Sequence, residues 1–194
     1  MGKVPCRSCA MAALAGVMAL ARAAAQPVAP VPFAHGEVNF LVHSTIVGGI
    51  QGWAPVVHAE FTGDQLSTVR GLAIVRVADM QTGNGTRDRH LRRAMEADSF
   101  PTIRFELVAV EPAAASADTA TATFQGRLTL HGVTRSVQAP ATVTLRPGGV
   151  DVVATFPLDM RDYGIKPPVR ALVLRVAPDV VVTARLSFGT PSSP

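Results

Sequence analysis

The chain has 194 residues, 48% of them apolar and 16% charged, with a formal net charge of +4 and two cysteines. The surplus charge comes from the first 25 residues: without Lys3, Arg7 and Arg22 the balance falls from +4 to +1, because no acid leaves with them. The high pI therefore does not argue for a nucleic-acid partner. Cys6 and Cys9 lie in the same stretch, so the remaining chain has no thiol and no disulfide and must hold together by packing alone.

That N-terminal stretch reads as a secretory signal peptide over residues 1–25. Lys3 and Arg7 open it, Ala10–Ala21 is an apolar run too short to span a bilayer, and Ala23–Ala25 offers small residues at the cleavage positions. Residues 26–35 form a Pro-rich, extended lead-in, and residues 36–190 are read as one domain. No stable membrane span is expected in it, and the signal peptide implies export.

From there the period is mostly two. Val38, Phe40 and Val42 share a face, as do Ala73, Val75 and Val77. The pattern continues through Ile103–Leu107, Ala120–Phe124, Leu128–Leu130, Val137–Leu145, Val150–Phe156, Leu172–Val176 and Val180–Phe188. Pro147-Gly148-Gly149 reads as a hairpin, Glu111–Ala117 as a small-residue loop, and Pro178-Asp179 as a break between the last two strands. The His35-Gly36-Glu37 stretch is read as a loop before the first strand. About eight or nine short-connected strands suit a closed antiparallel barrel or a sandwich. One segment breaks the period: around residues 86–97, Leu91 and Met95 stand four apart with Ala94 beside them, which predicts a short amphipathic helix started by Thr86 and stopped before Pro101.

The chemistry-bearing residues form no recognisable centre. His35, His43, His58, His90 and His131 make no metal-ligand spacing, and no cofactor is expected. Ser44, Ser67 and Ser99 sit in no nucleophile context. Asp159 and Asp162 read as a solvated turn, and Asn84-Gly85-Thr86 as a turn more than a sequon. Asp88 and His90 are two apart, so on a helix they do not face each other as an acid–base pair would. The four arginines of the helix, Arg87, Arg89, Arg92 and Arg93, read as a solvated face beside Asp88, Glu96 and Asp98, with a cationic rim for an anionic head group as the sharper alternative. His131 reads as a polar residue ordering the turn at Gly132. Small inward candidates (Ala73, Ala122, Ala139, Ala141 and Ala154) would leave room inside a barrel, which at eight strands is either filled or holds one small apolar ligand.

Two long stretches then carry a resemblance. Gly126–Val137 (GRLTLHGVTRSV) resembles the strand signature of the YceI-like family, and Thr82–Glu106 (TGNGTRDRHLRRAMEADSFPTIRFE) resembles that family's helix signature. Asp162–Lys166 and Asp179–Val182 resemble its late turn and closing strand. Two places depart. The segment Ala94–Phe100 holds a single Phe where the family is Phe-rich, and the early Gly52-Trp53…Pro55 region is unusual.

The resemblance implies an extended antiparallel, lipocalin-like β-barrel of about eight strands with one short helix. It also implies a non-enzymatic protein whose partner is an apolar lipid such as a polyisoprenoid or a quinone-like molecule. Matched positions such as Asp88, His90 and Gly132 are read as fold-building, the first two fastening the helix over one barrel end. Candidate lining residues are Phe40, Val42, Val75, Phe105, Phe124 and Leu128, followed by Leu130, Val143, Phe156, Leu174, Val182 and Leu186; Arg89 and Arg93 are the candidate head-group contacts. The rival reading is a structural or stress-linked interaction module whose barrel is filled. The oligomeric state is left open, a homodimer being one form.

Overall fold

The computed structural model describes residues 32–44, 48–166, 169–170 and 174–189, with side chains for all of these except 169–170 and 174–176. The signal-peptide reading falls outside the described residues. The strands are β1 (Phe33–Ser44), β2 (Gly48–Thr62), β3 (Arg70–Arg76), β4 (Thr102–Ala115), β5 (Thr119–Leu130), β6 (Val133–Arg146), β7 (Gly149–Asp159), the two-residue β8 (Val169–Arg170) and β9 (Leu174–Gly189). Each pairs antiparallel with the next from β1 to β7, β7 pairs with β9, and β9 pairs back onto β1. Eight strands thus close a barrel, and β8 adds only a short pairing to the start of β9. Closure leaves no free edge between the eight strands.

One helix, α1 (Gly85–Ala94), lies in the β3–β4 connection. Its cap is Asn84, not Thr86: Asn84 Oδ1 accepts from the backbone N–H of Thr86 at 3.1 Å and of Arg87 at 3.0 Å. The amide carbonyl can reach both orphan donors of the first turn, whereas Thr86 is already inside it. The helix stops in a left-handed residue, Glu96, with φ of 46°. Ala97 N–H reaches Arg92 O at 3.0 Å and Glu96 N–H reaches Arg93 O at 3.1 Å, a Schellman closure with Glu where glycine is usual.

Four sequence expectations need correction. β1 begins at Phe33, so His35-Gly36-Glu37 is strand and not loop; Gly36 pairs with Leu186, and a Cβ there would meet Leu186 Cδ2 at 2.5 Å. The stretch read as a loop from Glu111 is strand as far as Ala115, with Pro112 accommodated beside a register shift between Pro112 and Ala114. Pro178 does not break the last strand. β9 runs straight through it beside a bulge against β1, where Val42 pairs with Val180 and Ser44 with Val176, and bulges are where a sheet tolerates a residue without an N–H. The helix is shorter than expected, ending at Ala94.

Two turns match their chemistry. Pro147-Gly148 joins Arg146 to Gly149, with Gly148 at φ of 78°. His131-Gly132 joins Leu130 to Val133, both central residues at positive φ (50° and 74°), the backbone that a two-residue hairpin needs.

Registers across the barrel explain its interior. Ala122 pairs with Ala141, Ala141 with Ala154, Ala154 with Ala184, Ala184 with Val38, and Val38 with Ala54. Six strands thus contribute a hydrogen-bonded belt of small side chains. On its helix side runs a row of larger ones, Phe156–Val182–Phe40, and on its far side Val143–Val152–Leu186. Beyond that, the barrel is solid. Leu107, Val110, Ala122, Ala141 and Phe188 are buried, and Phe188 stacks on Phe33 (centroids 5.7 Å apart) and edge-on to Phe61 (5.4 Å, 82°). The barrel is therefore hollow near α1 and packed at the opposite end.

Candidate functional site

The hollow part is a cavity of about 310 Å³. Its wall is apolar almost throughout. Val38, Phe40, Ala54, Ala154, Ala184 and Leu186 supply the belt and its neighbours, and Leu91 and Ala94 of α1, with Met95 just after it, close over the top with Met80, Met160 and Ile165. Among the described residues, three on the wall carry polar side-chain groups, Thr82, Arg87 and His90, and all three belong to α1 or the turn that leads into it.

Glycines opposite aromatic rings keep the lumen open. Phe40 pairs directly with Gly52, and a Cβ on Gly52 would meet its ring at 2.1 Å. Phe105 lies over Gly126 in the same way, at 2.3 Å. With no Cβ opposite, each ring lies back against the wall and lines the cavity without crossing it.

The polar end is built by hydrogen bonds around Thr82. Buried Asp88 accepts from Thr82 N–H at 2.8 Å and from Thr82 Oγ1 at 2.5 Å. Arg87 donates from Nε to Thr82 Oγ1 and from Nη2 to the Thr82 carbonyl, both at 2.9 Å. The loop is tied again where Arg92 donates to the Ala78 carbonyl at 2.9 Å. At the other end of the lid, Nδ1 of His131 donates to the Tyr163 carbonyl at 3.1 Å, its Nε2 stands 3.4 Å from Glu96 Oε1, and its ring packs on Phe100 with centroids 4.5 Å apart. His131 thus joins the β5–β6 turn to the 3-10 turn at Met160–Tyr163 and to the segment after α1. Behind it, burial pushes the Tyr163 hydroxyl above its ordinary pKa; Asp162 adds to this and Arg135 opposes it. Asp159 is held below the usual carboxylate range by hydrogen bonds from Arg161. No three His, Cys, Asp or Glu side chains come together as a metal site among the described residues.

Of the candidate lining residues, Phe40, Val42, Val75, Phe105, Phe124 and Leu128 are on the cavity wall, as are Leu130, Phe156, Val182 and Leu186. Val143 is not: it is partly buried against the core beside its β7 partner Val152. The Leu174 side chain lies outside the described residues. Arg89 and Arg93 are exposed and off the wall, and Arg89 donates to Thr86 Oγ1 at 3.0 Å. The signal that picks the arginine on the wall, Arg87, was in the spacing. Leu91 and Ala94 mark the covered face of α1; Arg87 stands one turn before Leu91, and His90 one turn before Ala94. Arg89 and Arg93 fall on the opposite side. A barrel filled throughout, the rival expectation, is not what the interior presents.

Comparison with known proteins adds to this geometry. BcnA of Burkholderia cenocepacia superposes with a TM-score of 0.68 at 17% identity, over 78% of this chain and 95% of that one. A polyisoprenoid binding domain from Saccharophagus degradans, implicated in plant cell wall breakdown, gives 0.63 at 12%, over 83% and 99%. The YceI protein of Campylobacter jejuni gives 0.60 at 16%, over 75% and 88%. At these identities the likeness is one of fold. A search of the curated proteins returns no match. The YceI-like domain model matches residues 30–188, most of the chain, and the protein belongs to that family.

Proposed function

We propose that the protein is a non-enzymatic carrier that shields the apolar tail of a lipid, of polyisoprenoid type, inside the barrel. The observation that carries this reading is the cavity: apolar over nearly its whole wall, with its polar side chains gathered at one end. A molecule that is hydrocarbon along its length and polar at one tip matches both features. Transfer of the tail from water contributes about 0.8 kcal/mol for each buried CH₂, so one five-carbon unit supplies roughly 3 kcal/mol before ordering costs. The head lies at Thr82, Arg87 and His90 in this reading. Arg87 uses two of the five N–H donors of a guanidinium on Thr82, leaving others for an anion. The Saccharophagus degradans domain, described as polyisoprenoid binding, supports the choice of lipid class. The basic, then apolar, then small-residue N-terminus supports export to the periplasm.

Native mass spectrometry of protein purified from its own cell envelope, followed by lipid extraction, tests the reading. The expected result is a prenyl-type lipid bound one per chain. Protein that comes away empty under gentle conditions, and that takes up no prenyl lipid when one is added, ends it. Fractionation of the same cells tests export, which fails if the full-length chain stays in the cytoplasm.

A further inference from the structure

The packed end of the barrel bears on how long the bound tail can be. We infer, resting on the carrier reading above, that the cavity is a ruler: it takes a tail of about a dozen chain carbons, and the Phe33–Phe61–Phe188 stack is its stop.

Two measures lead to the same length. The first is volume. A cavity of about 150 Å³ lined by aliphatic and aromatic side chains accepts one benzene. The lumen here holds about 310 Å³, twice as much, and so takes about twelve carbons. The second is depth. On β9 the wall runs from Val180 to Leu186, six residue steps. At about 3.3 Å per step and a strand tilt near 40°, the axial depth is about 15 Å. A fully extended chain advances about 1.2 Å per bond, as a polypeptide does over its three bonds per residue, so about 15 Å again accommodates roughly a dozen bonds.

The floor is not a soft boundary. Phe61 reaches the cavity wall, while Phe188 behind it is buried and holds Phe61 edge-on and Phe33 at a tilt. Leu186, one pleat above Phe188, fills the space that a side chain on Gly36 would take. A longer tail therefore cannot pass downward without displacing packed aromatic rings. The floor is also apolar, so the head stays at the Thr82–Arg87–His90 end, and any excess tail remains in water. The ligand class is thus a single-headed amphiphile with a short tail: in prenyl terms, about two units by volume and three by depth, so no more than three isoprene units.

The test is calorimetric titration of lipid-stripped protein with a series of prenyl monophosphates from two isoprene units upward. Affinity should rise by at most about fourfold per added carbon up to the third unit, then stay level. Phe61→Ala should move the break to a longer tail by about one unit. Because loss of that ring could unfold the barrel, Ala184→Leu provides a second variant, which adds bulk inside the cavity and should move the break to a shorter tail; both are checked for a cooperative melt. Affinity that keeps climbing tenfold or more per unit past the third overturns the ruler and leaves the carrier reading intact. A break that stays put in either folded variant overturns it as well. Failure of every prenyl phosphate to bind removes the carrier reading, and the ruler with it.

Discussion

Replacing Ala154 by leucine separates a hollow barrel from a filled one by sign. Ala154 stands in the small-residue belt between Ala141 and Ala184 and lines the cavity. Leucine adds three carbons, which in an empty lumen contribute about 2.4 kcal/mol by removal from water, offset by about 0.5–1 kcal/mol of lost rotamer freedom. The ligand-free variant should therefore be more stable than the parent by about 1.5 kcal/mol, equivalent to a melting temperature about 3–6 °C higher for a chain of this size. In a close-packed lumen the same substitution would cost about 1–3 kcal/mol. Binding should move the other way: displacing three carbons of tail weakens a prenyl ligand by about fiftyfold. Urea unfolding of lipid-stripped protein followed by circular dichroism, with a parallel titration, reads both effects. The protein must be stripped, because a bound ligand stabilises the parent by mass action and would mask the gain. A ligand-free variant less stable than the parent by more than about 1 kcal/mol at an unchanged m value would refute the reasoning, since that is the signature of overpacking.

Four further outcomes follow from the same contacts. Asp88→Ala leaves the Thr82 N–H and hydroxyl without their acceptor and should cost about 2–3 kcal/mol in guanidinium unfolding; an unchanged midpoint would mean that the lid anchor is solvated. Gly126→Ala places a Cβ 2.3 Å from the Phe105 ring and 2.8 Å from the Glu106 carbonyl, so calorimetry should record a loss of about 1–3 kcal/mol. Asp151, held below the usual carboxylate range by a hydrogen bond from Arg146 and then by Ser187, adds stability that is present above its ordinary pKa of 3.8 and is lost as pH falls through the lower folded value. Asp151→Asn should thus lower the urea midpoint at neutral pH, with the gap to the parent closing in acid. Delipidation should lower the melting temperature of the parent more than that of Ala154→Leu, which differential scanning fluorimetry compares directly.

Much of the barrel was legible because its strands alternate cleanly and its tightest turns carry their own chemistry. His131-Gly132 supplies positive φ at both central residues of its two-residue hairpin, and Pro147-Gly148 supplies a fixed proline φ followed by a positive one at Gly148. The errors fell where a local signal competed with long-range pairing. Pro178 and Pro112 look like strand ends in sequence, but register shifts beside them let β9 and β4 continue. Gly36 looks like loop but is strand because Leu186 fills the space above it. At the site, period two identifies which residues face inward but not how far along the barrel axis each one lies. Val143 and Phe124 have the same inward signal, yet Phe124 is on the cavity wall while Val143 packs into the core beside Val152, which does line the cavity. The belt itself depends on the mutual register of six strands, which no single stretch of sequence specifies. The polar end was closer to hand: the helix period that marks Leu91 and Ala94 as covered also places Arg87 and His90 on their face.

The division of the barrel into a packed end and a hollow end has an energetic reason. An unfilled apolar volume costs about 24 cal/mol per Å³, so a lumen of 310 Å³ forgoes on the order of 7 kcal/mol relative to a filled one. That is comparable with the whole stability of an ordinary domain, and this chain has no disulfide among its described residues to offset it. The far end must therefore be packed to full density, which is what buried Leu107, Val110, Ala122, Ala141 and Phe188 achieve. The lid must be tied by polar contacts, because a helix resting on a void gains little from burial. Asp88 with Thr82 and Arg92 with the Ala78 carbonyl tie the helix itself, and His131, held on the Tyr163 carbonyl, stands 3.4 Å from Glu96 just beyond the helix end. A hydrocarbon tail then restores what the cavity gives up, so that binding and stability draw on the same missing contacts, and a tail too long to stop above Phe61 could gain the first only by disrupting the second.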